Sequence, residues 1–180
     1  MVSYYDPETL VREANEAFAL VRPVGPFVGA RRSVEVAVDA DGAVAGVVFA
    51  PAWYRATSDH DLCAQIVAAH AQARDEASAA ERAAIASMVS GTGPDDTSLI
   101  RRLREFAERI AAHRIPVDTE DGLLGVVMGG NGALLSIDMA GQLRRRCDRE
   151  RVAARVIDLI RTAEQAAAEL RAELVAGWLR

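Results

Sequence analysis

The sequence predicts an α+β protein made of two consecutive units of one plan, each a helix, a three-stranded antiparallel sheet and a long helix. Two observations predict it. Apolar residues alternate on either side of the turns Asp39-Ala40-Asp41-Gly42 and Gly129-Gly130-Asn131-Gly132, as in strands joined by a hairpin. The second hairpin also repeats the first ninety positions later without a gap: Val34, Val36 and Val38 face Leu124, Val126 and Met128, Gly42 faces Gly132, and Val47 and Phe49 face Ile137 and Met139. The same offset matches Leu10, Ala17 and Leu20 to Ile100, Ala107 and Ile110 upstream, and Leu62, Ile66 and Val67 to Val152, Val156 and Ile157 downstream. Residues 1–90 and 91–180 are therefore predicted to be a tandem repeat.

In the first unit, Asp6-Pro7-Glu8 opens a helix with a capping carboxylate, a proline preset at the first helical position and an acid at the positive end of the dipole. Leu10, Ala14, Ala17 and Val21 give it one apolar face, and Pro23 stops it. The stretch Val24 to Ala30 holds Gly25, Pro26 and Gly29, which suit an irregular or edge strand. The hairpin follows, Pro51 ends its second strand, and Thr57-Ser58-Asp59 offers a cap for a helix reaching about Val89. That helix carries a stripe of Leu62, Ile66, Ala69, Ala73, Ala77 and Ala80, small enough for close packing. Ser90 to Asp96 reads as the linker between units. In the second unit Thr97 or Ser98 caps a helix to about His113, the stretch around Val117 is the irregular strand, and Asp148 caps a last helix. Its Val152, Val156, Leu159, Ala163, Ala166, Leu170 and Leu174 recur at a nearly coiled-coil period.

Half of the 180 residues are apolar, enough for a substantial core, and no apolar run is long enough to span a membrane, so a soluble cytoplasmic protein is expected. Cys63 and Cys147 lack the spacing of a zinc site or a disulfide framework. All 21 basic residues are arginine, and with the abundance of Ala and Val this suggests a genome rich in G and C. The net charge of -5 argues against indiscriminate binding to nucleic acid, but it is unevenly spread. Residues 1–90 carry 7 Arg against 12 acids and residues 91–180 carry 14 Arg against 14 acids, so the basic surface belongs to the second unit.

This plan resembles the YbaB/EbfC family of small nucleoid-associated DNA-binding proteins. The residues that carry the likeness are Ser33 to Gly42 with Val47-Val48-Phe49 and the helix of Leu62, Ile66 and Ala73, then Asp121 to Val127, Gly132 to Asp138 and the helix from Val152. Members are typically single units that dimerise, so the resemblance implies an intramolecular pseudo-dimer, and a seven-residue linker spanning at most roughly 25 Å permits it. It also implies DNA as the partner, contacted with little sequence preference. The family includes actinobacterial members associated with type VII secretion, and the composition here suits such an origin, so a protein-binding or chaperone-like scaffold is the alternative expectation.

The candidate DNA-binding residues are Arg144, Arg145, Arg146 and Arg149 at a strand-to-helix junction, where guanidinium forks and a helix N-terminus both favour phosphate. Arg101 and Arg102 join them, because cations opening a helix oppose its dipole unless an acidic partner is near. Exposed Tyr4, Tyr5, Trp53 and Tyr54 could stack on bases, although core packing suits Trp53 and Tyr54 better. Enzymatic readings are weak. His60 and Cys63 on one helical turn do not make a metal site, and Gly129 to Gly132 lacks the Lys and Ser or Thr of a phosphate loop and leads into a strand. No cofactor is expected.

Overall fold

Alternating valines and two left-handed turn glycines build a pair of antiparallel sheets. The computed structural model describes residues 25–88 and 97–178. The first sheet contains β1 (Phe27–Arg31), β2 (Val34–Val38) and β3 (Val44–Phe49), followed by a short α1 (Trp53–Ala56) and a long α2 (Asp59–Met88). After α3 (Thr97–Ala112), the second sheet contains β4 (Arg114–Asp118), β5 (Leu124–Gly129) and β6 (Leu134–Met139), followed by α4 (Gly141–Arg146) and α5 (Arg149–Trp178). Strand order is β1-β2-β3 and β4-β5-β6. The helix expected from Asp6 and the Ser90 to Asp96 linker lie outside the described residues.

The two hairpins share one register. Val34 pairs with Phe49 and Val36 with Val47, while Leu124 pairs with Met139 and Val126 with Ile137. A bulge interrupts both at matching places, between Ala37 and Val38 and between Val127 and Met128. Gly42 and Gly132 hold φ of 76° and 79°, a conformation costly for any residue with a Cβ. Side-chain acceptors brace the turns: Asp39 Oδ1 receives the amides of Asp41 and Ala43, and Asn131 Oδ1 that of Ala133.

The first strands depart from the ninety-residue offset. Phe27 pairs with Val38 and Ile115 with Met128, so β4 is reached by a link two residues longer, the turn from Thr119 to Gly122. Both are edge strands, which explains how Pro116 is tolerated within β4. Gly29 in β1 has a different reason: a Cβ there would overlap the carbonyl of Ala69, because α2 crosses the strand at backbone contact distance.

Each long helix packs on its own sheet and on the third strand of the other. α2 lies on β1, β2 and β6, and α5 on β4, β5 and β3. The result is a single core in which Val34, Val36, Phe49, Leu62 and Ile66 touch the same cluster as Leu124, Val126, Met128, Val156 and Ile160. Burial of the helix faces stops at Ala77 and Ala167, so Ala80 and Leu174 are only partly covered, and Ala167 rather than Ala166 is the buried alanine of that turn. Caps form as expected from chemistry: the Ser58 hydroxyl accepts from the Asp61 amide, and Asp148 accepts from that of Arg151.

Candidate functional site

The helices order the molecule into two ends. α2 begins beside Ser33, whose amide donates to Gln65, and runs to the hairpin turns, where Arg74 donates to the carbonyl of Asn131. α5 begins beside the β4–β5 turn, where Arg155 Nη2 binds both Asp121 oxygens at 2.9 and 2.7 Å, and likewise runs to its turn, where Arg171 donates to Gly130 O. One end therefore gathers the two strand-to-helix junctions and the other gathers the two hairpin turns.

At the junction end, Leu143 anchors α4 in the core, and the side chain after it follows inward. Arg144 is only 6% exposed. Its Nη1 donates to Asp59 at 2.6 Å, and its Nη2 lies 2.9 to 3.0 Å from the carbonyls of Trp53, Tyr54 and Thr57. The guanidinium also lies 5.0 Å from the Trp53 ring centroid and 5.3 Å from that of Tyr54. The end of α1 would otherwise leave its carbonyls without donors, and the arginine fork from the second unit supplies them. The Arg144 fork, expected at the surface, is thus turned into the protein, where it fastens the second unit to the first.

Arg145 and Arg146 stand on the opposite side of α4 and are exposed. Neither pairs with a carboxylate among the described residues. Arg149 is partly committed, donating through Nε to Glu150 at 2.5 Å, a hydrogen bond that holds the Glu150 carboxyl below its usual range. Thr119 and then Arg155 hold the exposed Asp121 carboxyl down to about 2. Arg101 is exposed on α3, 3.9 Å from Glu105 one turn on. Arg102 also lies on α3, and its side chain falls outside the described residues. The structure thus brings Arg144, Arg145, Arg146 and Arg149 to one junction, with Arg145 and Arg146 presented outward.

The aromatics divide. Trp53 is buried and stacks on Phe49 with centroids 5.0 Å apart, whereas Tyr54 is 50% exposed. Tyr4 and Tyr5 lie outside the described residues. His60 is exposed, but Cys63 is buried, and burial together with the Asp138 and Asp59 carboxylates pushes its thiol up to about 11, the reverse of an activated nucleophile. Among the described residues no three His, Cys, Asp or Glu side chains converge on a common point.

At the hairpin end lies a cluster that sequence reasoning missed. Arg74, Arg161 and Arg171 line a cleft of about 310 Å³ between the turns at Gly42 and Gly132, together with Glu164 and Asn131. Burial pulls Arg74 below its ordinary pKa, Glu164 opposes that shift, and Arg171 adds to it. These arginines are scattered along two helices and adjoin no other basic residue in sequence. The signal for them was the glycine turn itself, which admits long side chains from both helices.

With the geometry established, comparison with known proteins gives one finding. Residues 98–179, from α3 through α5, match the model of the YbaB/EbfC DNA-binding family. No curated protein and no solved structure matches the chain.

Proposed function

We propose that this protein binds duplex DNA with low sequence specificity, as two YbaB/EbfC-like units, residues 1–90 and 91–180, paired within one chain after a tandem duplication. The match of residues 98–179 to a DNA-binding family carries the reading. The duplication is supported by the common hairpin register and bulge, and the pairing by the helices that each cover the other unit's third strand. Arg145 and Arg146, both exposed, are the principal backbone contacts, with Arg149, Arg101 and Arg102 adding to the field, since arginines on helix ends reach phosphates before base edges. Arg144 serves this surface indirectly by fixing α4. The protein acts as a binding protein in the cytoplasm rather than as an enzyme; among the described residues no helix is long and apolar enough to cross a membrane.

A second reading, a module that holds another protein, is favoured by the net charge of -5 and the acidic first unit. Anisotropy titration of the full chain with a labelled duplex separates the two. DNA binding predicts saturable association at low salt that weakens steeply as salt rises. No association at low salt would remove the DNA reading and leave the protein-partner one.

A further inference from the structure

The cleft between the hairpin turns has a chemistry of its own. Arg74 of α2 and Glu164 of α5 occupy equivalent positions ninety residues apart, and each reaches the other unit's hairpin: Arg74 Nη2 donates to Asn131 O at 2.9 Å, and Glu164 Oε1 accepts the Val44 amide at 2.9 Å. Two further arginines close in from α5. Arg171 Nη1 donates to Gly130 O at 2.9 Å and Arg161 Nε to Val44 O at 3.3 Å. Each guanidinium is thus tethered to backbone near a hairpin turn while further N–H groups of its fork remain.

The tethers hold like charges close together. A Cβ on Gly132 would lie 3.1 Å from Arg74 Nη1 and 3.5 Å from Arg171 Nη1, so both forks crowd over the same glycine. Arg74 Nη1 is buried and lacks a hydrogen-bond partner among the described residues, a costly state for a charged donor. Glu164 and Asp75 favour the Arg74 charge through space, but Nη1 still lacks an acceptor, and the Glu164 carboxylate accepts the Val44 amide and faces His70 at 3.9 Å.

The geometry points to a phosphate-binding site between the two hairpin turns, with Arg74 and Arg171 as the principal ligands and Arg161 at the rim. Three guanidiniums lining one cleft offer more donors than a carboxylate can accept and suit the several oxygens of a tetrahedral oxyanion. The left-handed glycines at Gly42 and Gly132 leave room for the arginine forks themselves, since a Cβ on Gly42 would lie 3.3 Å from Arg74 Nε. This site lies at the other end of the strands from Arg145 and Arg146 and does not depend on them. The phosphate can be free or part of a polynucleotide backbone.

The test is a ¹H–¹⁵N correlation titration of the full chain with inorganic phosphate, ionic strength held with sodium chloride, repeated with an unlabelled duplex. In the wild type, phosphate or duplex shifts the Gly42 and Gly132 amides saturably. Arg171→Gln weakens that response about tenfold or more, the scale of one lost charge-assisted hydrogen bond, and leaves core amides such as Val36 and Val126 in place. A response to phosphate alone identifies a small phosphorylated ligand; a response to duplex alone identifies backbone phosphate. Shifts that never saturate, persist unchanged in Arg171→Gln, or occur with neither probe overturn the assignment. The Arg145 and Arg146 variants read the DNA surface separately, so either site can fail alone.

Discussion

Replacing Arg144 by Ala should destabilise the fold while leaving the outward basic surface in place. The side chain is 6% exposed, donates to three carbonyls of the first unit at 2.9 to 3.0 Å, and pairs with Asp59 at 2.6 Å. Removing one partner of a fully buried pair costs about 3 to 5 kcal/mol. Asp59 is partly exposed and regains water, so the lower end applies, about 3 kcal/mol. For a chain of this length, a loss of that size lowers Tm by about 6 to 12 °C. Arg144→Lys should recover little of it, because an ammonium cannot span the carboxylate and the three carbonyls as a planar fork does. Urea and thermal unfolding measure both variants. A loss under about 1 kcal/mol, with DNA affinity falling as much as in Arg145→Ala, would show that Arg144 belongs to the surface and refute the tether.

Other perturbations address separate links of the account. Gly29→Ala should destabilise by about 1 to 3 kcal/mol, because the added methyl meets the Ala69 carbonyl and α2 must lift off β1; urea denaturation reads it. The Asp121 carboxyl, held down to about 2 by Thr119 and Arg155, makes a contribution that is complete above its unfolded value near 4. That contribution is lost as pH falls through about 2, and a carboxyl-detected NMR titration should find it ionised at pH 3; a midpoint near 4 would contradict the bidentate pair. Iodoacetamide at pH 8 should modify Cys147 well before the buried Cys63, which peptide mass mapping distinguishes.

The hairpins and long helices were legible in the sequence because their signals are local. Alternating valines, a turn glycine at Gly42 or Gly132, and caps such as Ser58 and Asp148 each act within a few residues. The ninety-residue match also located the equivalent strands, except β1 and β4, where a longer turn shifts the alignment by two residues and apolar spacing alone carried no trace of it. The basic run from Arg144 to Arg149 was visible as composition, but composition could not tell which arginine the core would claim. Leu143 sets the rotation of α4, and that rotation sends Arg144 to Asp59 and the carbonyls of α1, 85 to 91 residues away. The cleft of Arg74, Arg161 and Arg171 escaped for the same reason: its members meet only after two helices cross to the far hairpins.

The central claim, DNA binding through an arginine surface built on α4, is tested most directly by the salt dependence of duplex affinity. Log affinity against log salt should be linear for the wild type, with a slope set by the number of phosphates neutralised. Changing Arg145 and Arg146 together to Ala should reduce that slope by about 2, roughly 0.9 for each lost phosphate contact. Unfolding stability should stay within about 0.5 kcal/mol of wild type, as for exposed residues generally. A double variant whose slope and affinity equal those of the wild type would contradict the claim.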